Sequence, residues 1–165
     1  MPEPRVRTVA ALLAGLAISL WCTADPLAAL AQSRSERAVL ERVNALRIEH
    51  HLQALRSDAE LARVALAHAR EMADEGYLDH IDRAGRNPLQ RAQAAGIGDV
   101  VLLAENIAAS NVAQSRLDAV LRSWLQSHSH RENLLNPAFD ETGIGIADAP
   151  DGTRIYVELF ATRER

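Results

Sequence analysis

The sequence predicts an α+β fold, with a small antiparallel sheet held between helical layers. Three observations point there. The segment Arg154 to Phe160 puts Ile155, Val157 and Leu159 on one face and Tyr156, Glu158 and Phe160 on the other, so both faces read as covered. Most of the preceding chain carries apolar residues at helical spacing. The chain has 165 residues, 48% of them hydrophobic and 24% charged, which suits one globular domain. That composition excludes a disordered chain and a polytopic membrane protein. A net charge of -4 argues against a surface for phosphate backbones, so nucleic acid is not an expected partner.

The elements follow in order. Arg5 and Arg7 precede an apolar run from Val9 to Trp21; Pro26 and Ala29-Leu30-Ala31, with small residues at its first and last positions, come next. This is the pattern of a secretory signal over residues 1–31, and the run is shorter than the roughly 20 residues that span a bilayer. The expected mature chain is 32–165, secreted or periplasmic and not integral to the membrane. Cys22 leaves with the signal, so the expected mature protein is free of disulfides and held by packing alone. Trp21 stands where a lipoprotein signal needs a small residue.

Ser33 to about His51 reads as a first helix, through Val39, Leu40, Val43, Leu46 and Ile48. His51 to Leu55 reads as a connector. Ser57 and Glu60 read as a capping box opening a second helix, which stops at Gly76. Leu61, Ala65, His68 and Met72 lie on one stripe of that helix. Residues 77–86 read as a loop. Asn87-Pro88 starts a short third helix that Gly96-Ile97-Gly98 ends. Val100 to Leu103 reads as strand or extended chain. A fourth helix covers about Val112 to Gln126, with Leu117, Val120, Leu121, Trp124 and Leu125 inward. His128 to Leu135 reads as a helical turn. Two strands, Gly143 to Ala147 and Arg154 to Phe160, flank the turn Ala149-Pro-Asp-Gly152.

The sequence has no glycine-rich phosphate loop, no GxSxG elbow and no HExxH. Without a mature cysteine, thiol catalysis is out. His80, Glu105, His128, His130 and Glu132 remain, in segments that read as loops. Two histidines and a carboxylate suit zinc, and equally suit acid–base work. Linear spacing alone does not bring them together.

The local sequences add more. Asn44-Ala-Leu-Arg47, the helix Leu61 to Met72, Gly76-Tyr-Leu-Asp-His80 and Arg91-Ala-Gln-Ala-Ala-Gly96 stand in this order. Ala104-Glu105-Asn106-Ile107-Ala108, then Trp124 through His130 to Pro137, and Gly143-Ile-Gly145 follow. Together they resemble the CAP superfamily of cysteine-rich secretory, antigen 5 and pathogenesis-related proteins, in its bacterial SCP-like branch. The resemblance implies an α-β-α sandwich over residues 32–165 with an open cleft. It implies a cleft lined by His80, Glu105 and His130, which in some members hold a divalent metal such as zinc. Asn106 and Ser127 join that cleft; Ser127 stands where the family's second Glu falls, so the four-ligand set is incomplete. Ala104, Leu78 and Glu158 also depart from the pattern. Glu158 shares a face with two aromatics, so it needs a cationic partner or must become neutral. An Arg partner and a place as a fourth cleft acid are both open.

The function this implies is a binding module for a divalent metal or a small envelope ligand such as a lipid. The alternatives are a metal- or His-assisted hydrolase (a peptidase or cell-wall hydrolase) with Glu105 as general base, and an interaction scaffold with a vestigial cleft. Oligomeric state is not legible in the sequence.

Overall fold

In a computed structural model, residues 26–111 and 116–164 are described. The order is α1 (Pro26–Glu49), β1 (Arg56–Ser57), α2 (Ala59–Glu75), α3 (Pro88–Ala94), β2 (Val100–Ser110), α4 (Arg116–Gln126), α5 (His128–Leu134), β3 (Glu141–Asp148) and β4 (Arg154–Arg163). The sheet order is β1-β3-β4-β2. The three long strands are antiparallel, as expected. The two-residue β1 pairs parallel to β3, so the sheet is not wholly antiparallel. The signal segment lies outside the described residues up to residue 25, as do residues 112–115 of the expected fourth helix.

Side-chain alternation on β4 divides the molecule into layers. Ile155, Val157, Leu159 and Ala161 pack with Leu61, Val64, Ala65, Ala69 and Met72 of α2 and Ala92 of α3. Tyr156 and Phe160 point to the opposite face, against Val39 and Val43 of α1, Val120, Leu121 and Trp124 of α4 and Leu134 of α5. The α-β-α arrangement follows directly, because no face of the sheet is left to water. The α2 layer lies very close to β3. A Cβ on Gly143 would come within 2.2 Å of the Ala62 nitrogen, and one on Gly145 within 2.1 Å of the Leu66 nitrogen. Any side chain there would push helix and sheet apart.

Local chemistry sets the boundaries. The cap of α2 is Asp58 rather than Ser57: its carboxylate accepts the Leu61 amide at 2.7 Å. Ser57 is instead paired in β1, which takes it out of the cap position. Gly76, at φ +68°, ends α2 as expected. The capping box belongs to α3, where Asn87 and Gln90 each accept the other's backbone N–H at 2.9 Å. The expected short run at Val100 continues as β2 to Ser110, so Glu105 and Asn106 lie on a strand and not in a loop. Both later strands also run longer than expected, to Asp148 and Arg163. The Trp124 indole N–H donates to the Ile107 carbonyl at 3.1 Å, which meets its need for a buried partner.

Candidate functional site

The site is built around β2, an edge strand whose successive side chains reach different helical layers. Glu105 shares a face with Ile107, on the α2–α3 side; Asn106 shares a face with Ala108, on the α4–α5 side. One dipeptide therefore addresses both layers.

Glu105 is almost wholly buried, with 1% of its side chain exposed. A carboxylate in that position needs strong partners, and it has two. Arg91 of α3 forms a charge-assisted bond to Oε2. The Nδ1 of His80 lies 2.8 Å from Oε1. Because an ionised carboxylate only accepts, Nδ1 carries the proton in this contact. The Nε2 atom is left without a protein partner among the described residues, and the side chain is 46% exposed. Arg91 also donates to the His80 carbonyl at 2.6 Å and to the Arg86 carbonyl at 3.2 Å. It thus holds both the carboxylate that orients His80 and the backbone that carries it.

The loop before α3 is fixed from several sides. His68, buried on α2, bonds through Nε2 to the Asp79 carbonyl at 2.8 Å. The Tyr77 hydroxyl donates to Glu71 at 2.8 Å, and the Arg83 guanidinium lies 4.0 Å from the Tyr77 ring centre. Buried Asp82 accepts both the backbone N–H and the Nε of Arg86 at 2.7 Å. His68 therefore serves the loop rather than any ligand.

His130 comes from the other layer, on α5. Its carbonyl accepts the Asn106 side-chain N–H at 3.0 Å, and Asn133 donates to Asn106 Oδ1 at 2.9 Å. The His130 ring stands 6.5 Å from that of His80, tilted by 47°. Partial burial, and then the nearby His80, lower the His130 pKa below the ordinary 6.5, which favours the neutral ring. Ser127 sits at the N-cap of α5 with its hydroxyl 3.4 Å from that of Ser129, and it caps nothing. Among the described residues neither hydroxyl has a histidine or carboxylate partner that would activate it.

The structure therefore brings His80, Glu105 and His130 together and sets the other expected residues apart. Asn106 is fully buried, so it ties α5 to the strand rather than facing a ligand. His128 and Glu132 form an exposed pair at 3.1 Å. Glu158 is completely buried on the α1–α4 face; it reaches neither the site nor an Arg by direct contact. Arg47 faces it, but the Arg47 guanidinium bonds the carbonyls of Gln53, Leu134, Asn136 and Phe139. Arg91, which controls the site, is not among the residues that sequence reasoning singles out. Its signals are its place in the Arg91 to Gly96 stretch and its being the one cation of an alanine-rich helix.

Do these residues fit a metal? Both Glu105 oxygens are engaged, and among the described residues no three His, Cys, Asp or Glu are grouped to hold an ion. A tetrahedral zinc at about 2.0–2.1 Å from both rings would draw their centres to about 5 Å, closer than they stand. The His₂Glu set is thus not assembled. What is present is two imidazoles, one of them aligned by a carboxylate on its far nitrogen.

Residues 40–160 match the cysteine-rich secretory protein family, CAP. The chain is 32% identical over 117 residues to the protein YkwD of Bacillus subtilis, covering 71% of this chain and 44% of that protein. The chain thus spans less than half of that relative's length. Among solved structures, an outer surface protein of Borrelia burgdorferi superimposes with a TM-score of 0.73 at 26% identity, covering 81% of this chain and 96% of that one. An extracellular protein with an SCP domain from Bacillus anthracis gives 0.71 at 31% identity, covering 80% and 41%.

Proposed function

The chain belongs to the CAP family of cysteine-rich secretory proteins, and from that premise we propose that it is an exported, non-catalytic binding protein whose ligand rests on His80 and His130. The observation that carries this reading is the relay from Arg91 through Glu105 to His80. A buried ion pair fixes the ring by Nδ1 and leaves Nε2 for a ligand atom. His130, kept neutral by its surroundings, supplies a second imidazole from the opposite layer. Such a pair suits the polar group of a small envelope ligand. A divalent ion that takes its remaining ligands from water would need the two rings, now 6.5 Å apart, to close by about 1.5 Å, with Glu105 orienting His80 instead of coordinating. A bound ion would supply positive charge and open coordination positions at the two rings.

Export is supported by the leader pattern of residues 1–31 and by the outer-surface and extracellular relatives. No helix among the described residues is long and apolar enough to cross a membrane. The hydrolase reading has no supporting contact, because Glu105 is locked by two partners and is not free to take a proton from water.

Calorimetric titration of the purified chain with zinc tests the site. We expect saturable binding to one site, lost in a His80→Ala/His130→Ala double variant. Glu105→Gln weakens it by about 10–100-fold, as loss of an orienting partner does. Equal binding by the double variant would place the ion elsewhere and contradict the reading. No binding by either protein would remove the metal and leave the envelope ligand.

A further inference from the structure

Arg91 has an N–H that neither Glu105 nor the loop uses. Its Nε is buried and without a hydrogen-bond partner, although Arg91 as a whole is only 7% exposed. A buried donor left unserved costs free energy, and such atoms in a native fold call for an explanation. The same residue lines a groove between α2 and α3 of about 270 Å³, with Arg63, Val64 and Ala67 on one wall and Arg86, Ala94 and Ala95 on the other. This groove includes neither His80 nor His130.

The charge count there is uneven. Arg91 is matched by Glu105, and Arg86 by Asp82 at 2.7 Å. Arg63 is exposed and makes no hydrogen bond or ion pair among the described residues. One cation is therefore in excess over an otherwise small and apolar lining. The guanidinium fork matches the two oxygens of a carboxylate.

We propose that the α2–α3 groove is a second binding site, for a small amphiphilic carboxylate. Its head group is taken by Arg63, beside the largely buried guanidinium of Arg91, and its short chain lies on Val64, Ala67 and Ala94. The size points to a ligand at or below the small end of the usual range of about 300–1,000 Å³. Because Arg91 also holds Glu105, one side chain borders both sites.

Hexanoate is the probe, followed by amide NMR of the full chain, with acetate and hexan-1-ol as controls. We expect saturable shifts in α2 and α3 with hexanoate alone, since acetate lacks the chain and hexanol lacks the charge. Arg63→Ala should weaken binding at least about tenfold, the size of one lost charge-assisted contact. Ala67→Trp, at an exposed position, should fill the groove and abolish the shifts while leaving the unfolding midpoint unchanged. Absence of saturable shifts, equal binding of hexanol, or hexanoate binding that survives both substitutions would overturn the proposal.

Discussion

Glu105 and Glu158 are both buried carboxylates on the sheet, and they are handled in opposite ways. Glu105 lies on the edge strand facing α2 and α3, with each oxygen engaged by Arg91 or His80. Glu158 lies on the central strand facing α1, α4 and α5, opposite Asn106 on β2 and Ile144 on β3. It accepts one long bond, 3.3 Å, from the Thr142 hydroxyl, and its second oxygen has no partner. Burial therefore pushes its pKa up to about 8, against the smaller opposing pull of Thr142 and Arg47. The first carboxylate is kept charged by an ion pair and put to use on a histidine. The second escapes the cost of burial by holding its proton.

The largest expected effect breaks the first arrangement. Arg91→Met takes the buried cation from Glu105 and leaves it with His80 alone, which should cost about 3–5 kcal/mol in denaturant unfolding. The Arg91→Met/Glu105→Leu double variant should recover most of that loss, because no buried charge remains. If the double variant were as unstable as the single one, Arg91 would matter for its backbone bonds and not for the ion pair.

The second arrangement is exposed by pH. Below about pH 4.5 the Glu158 carboxyl is neutral in both folded and unfolded states and costs nothing. Between 4.5 and about 8 the unfolded chain has released the proton while the folded chain keeps it, so stability falls as pH rises. The slope from this one group is at most about 1.4 kcal/mol per pH unit. Unfolding midpoints from pH 5 to above 8 should therefore decline more gently in Glu158→Gln than in the parent. Parallel curves would mean that Glu158 is ionised and stabilised by a contact the structure lacks.

A smaller effect is expected from Thr142→Val. It removes the hydroxyl that bonds both Glu158 and the Leu159 carbonyl, at 2.8 Å for the latter, and should cost about 1 kcal/mol. It should also move the pH window upward, because the Thr142 bond favours the charged form. The smallest effect is at His130. Its NMR titration should lie below 6.5 and move toward that value in His80→Gln, since His80 is the second cause of the depression.

The contrast between the two carboxylates also marks what could be read in the residues. Helix stripes, the Gly76 stop, the Asn87-Pro88 start and the covered faces of β4 were legible, because periodicity and capping are local. The run of β2 through Glu105 was not. Ala104, Asn106, Ala108 and Ala109 give no alternation of apolar and polar residues, and only pairing with β4 makes the segment a strand. The two residues of β1 are too short to show any pattern. Glu158 is recognisable as a buried acid from its aromatic neighbours, yet the separation from Arg47 depends on tertiary packing. The grouping of His80, Glu105 and His130 came from resemblance; the role of Arg91 needed coordinates, because it joins elements 14 residues apart.

The central claim is that Glu105 orients His80 and leaves Nε2 for a ligand. Long-range 1H–15N spectra of the histidine rings, recorded on the neutral rings at alkaline pH, test it most directly. The account predicts that neutral His80 carries its proton on Nδ1 and that Glu105→Gln shifts this tautomer balance. A His80 protonated on Nε2, and indifferent to Glu105→Gln, would contradict it.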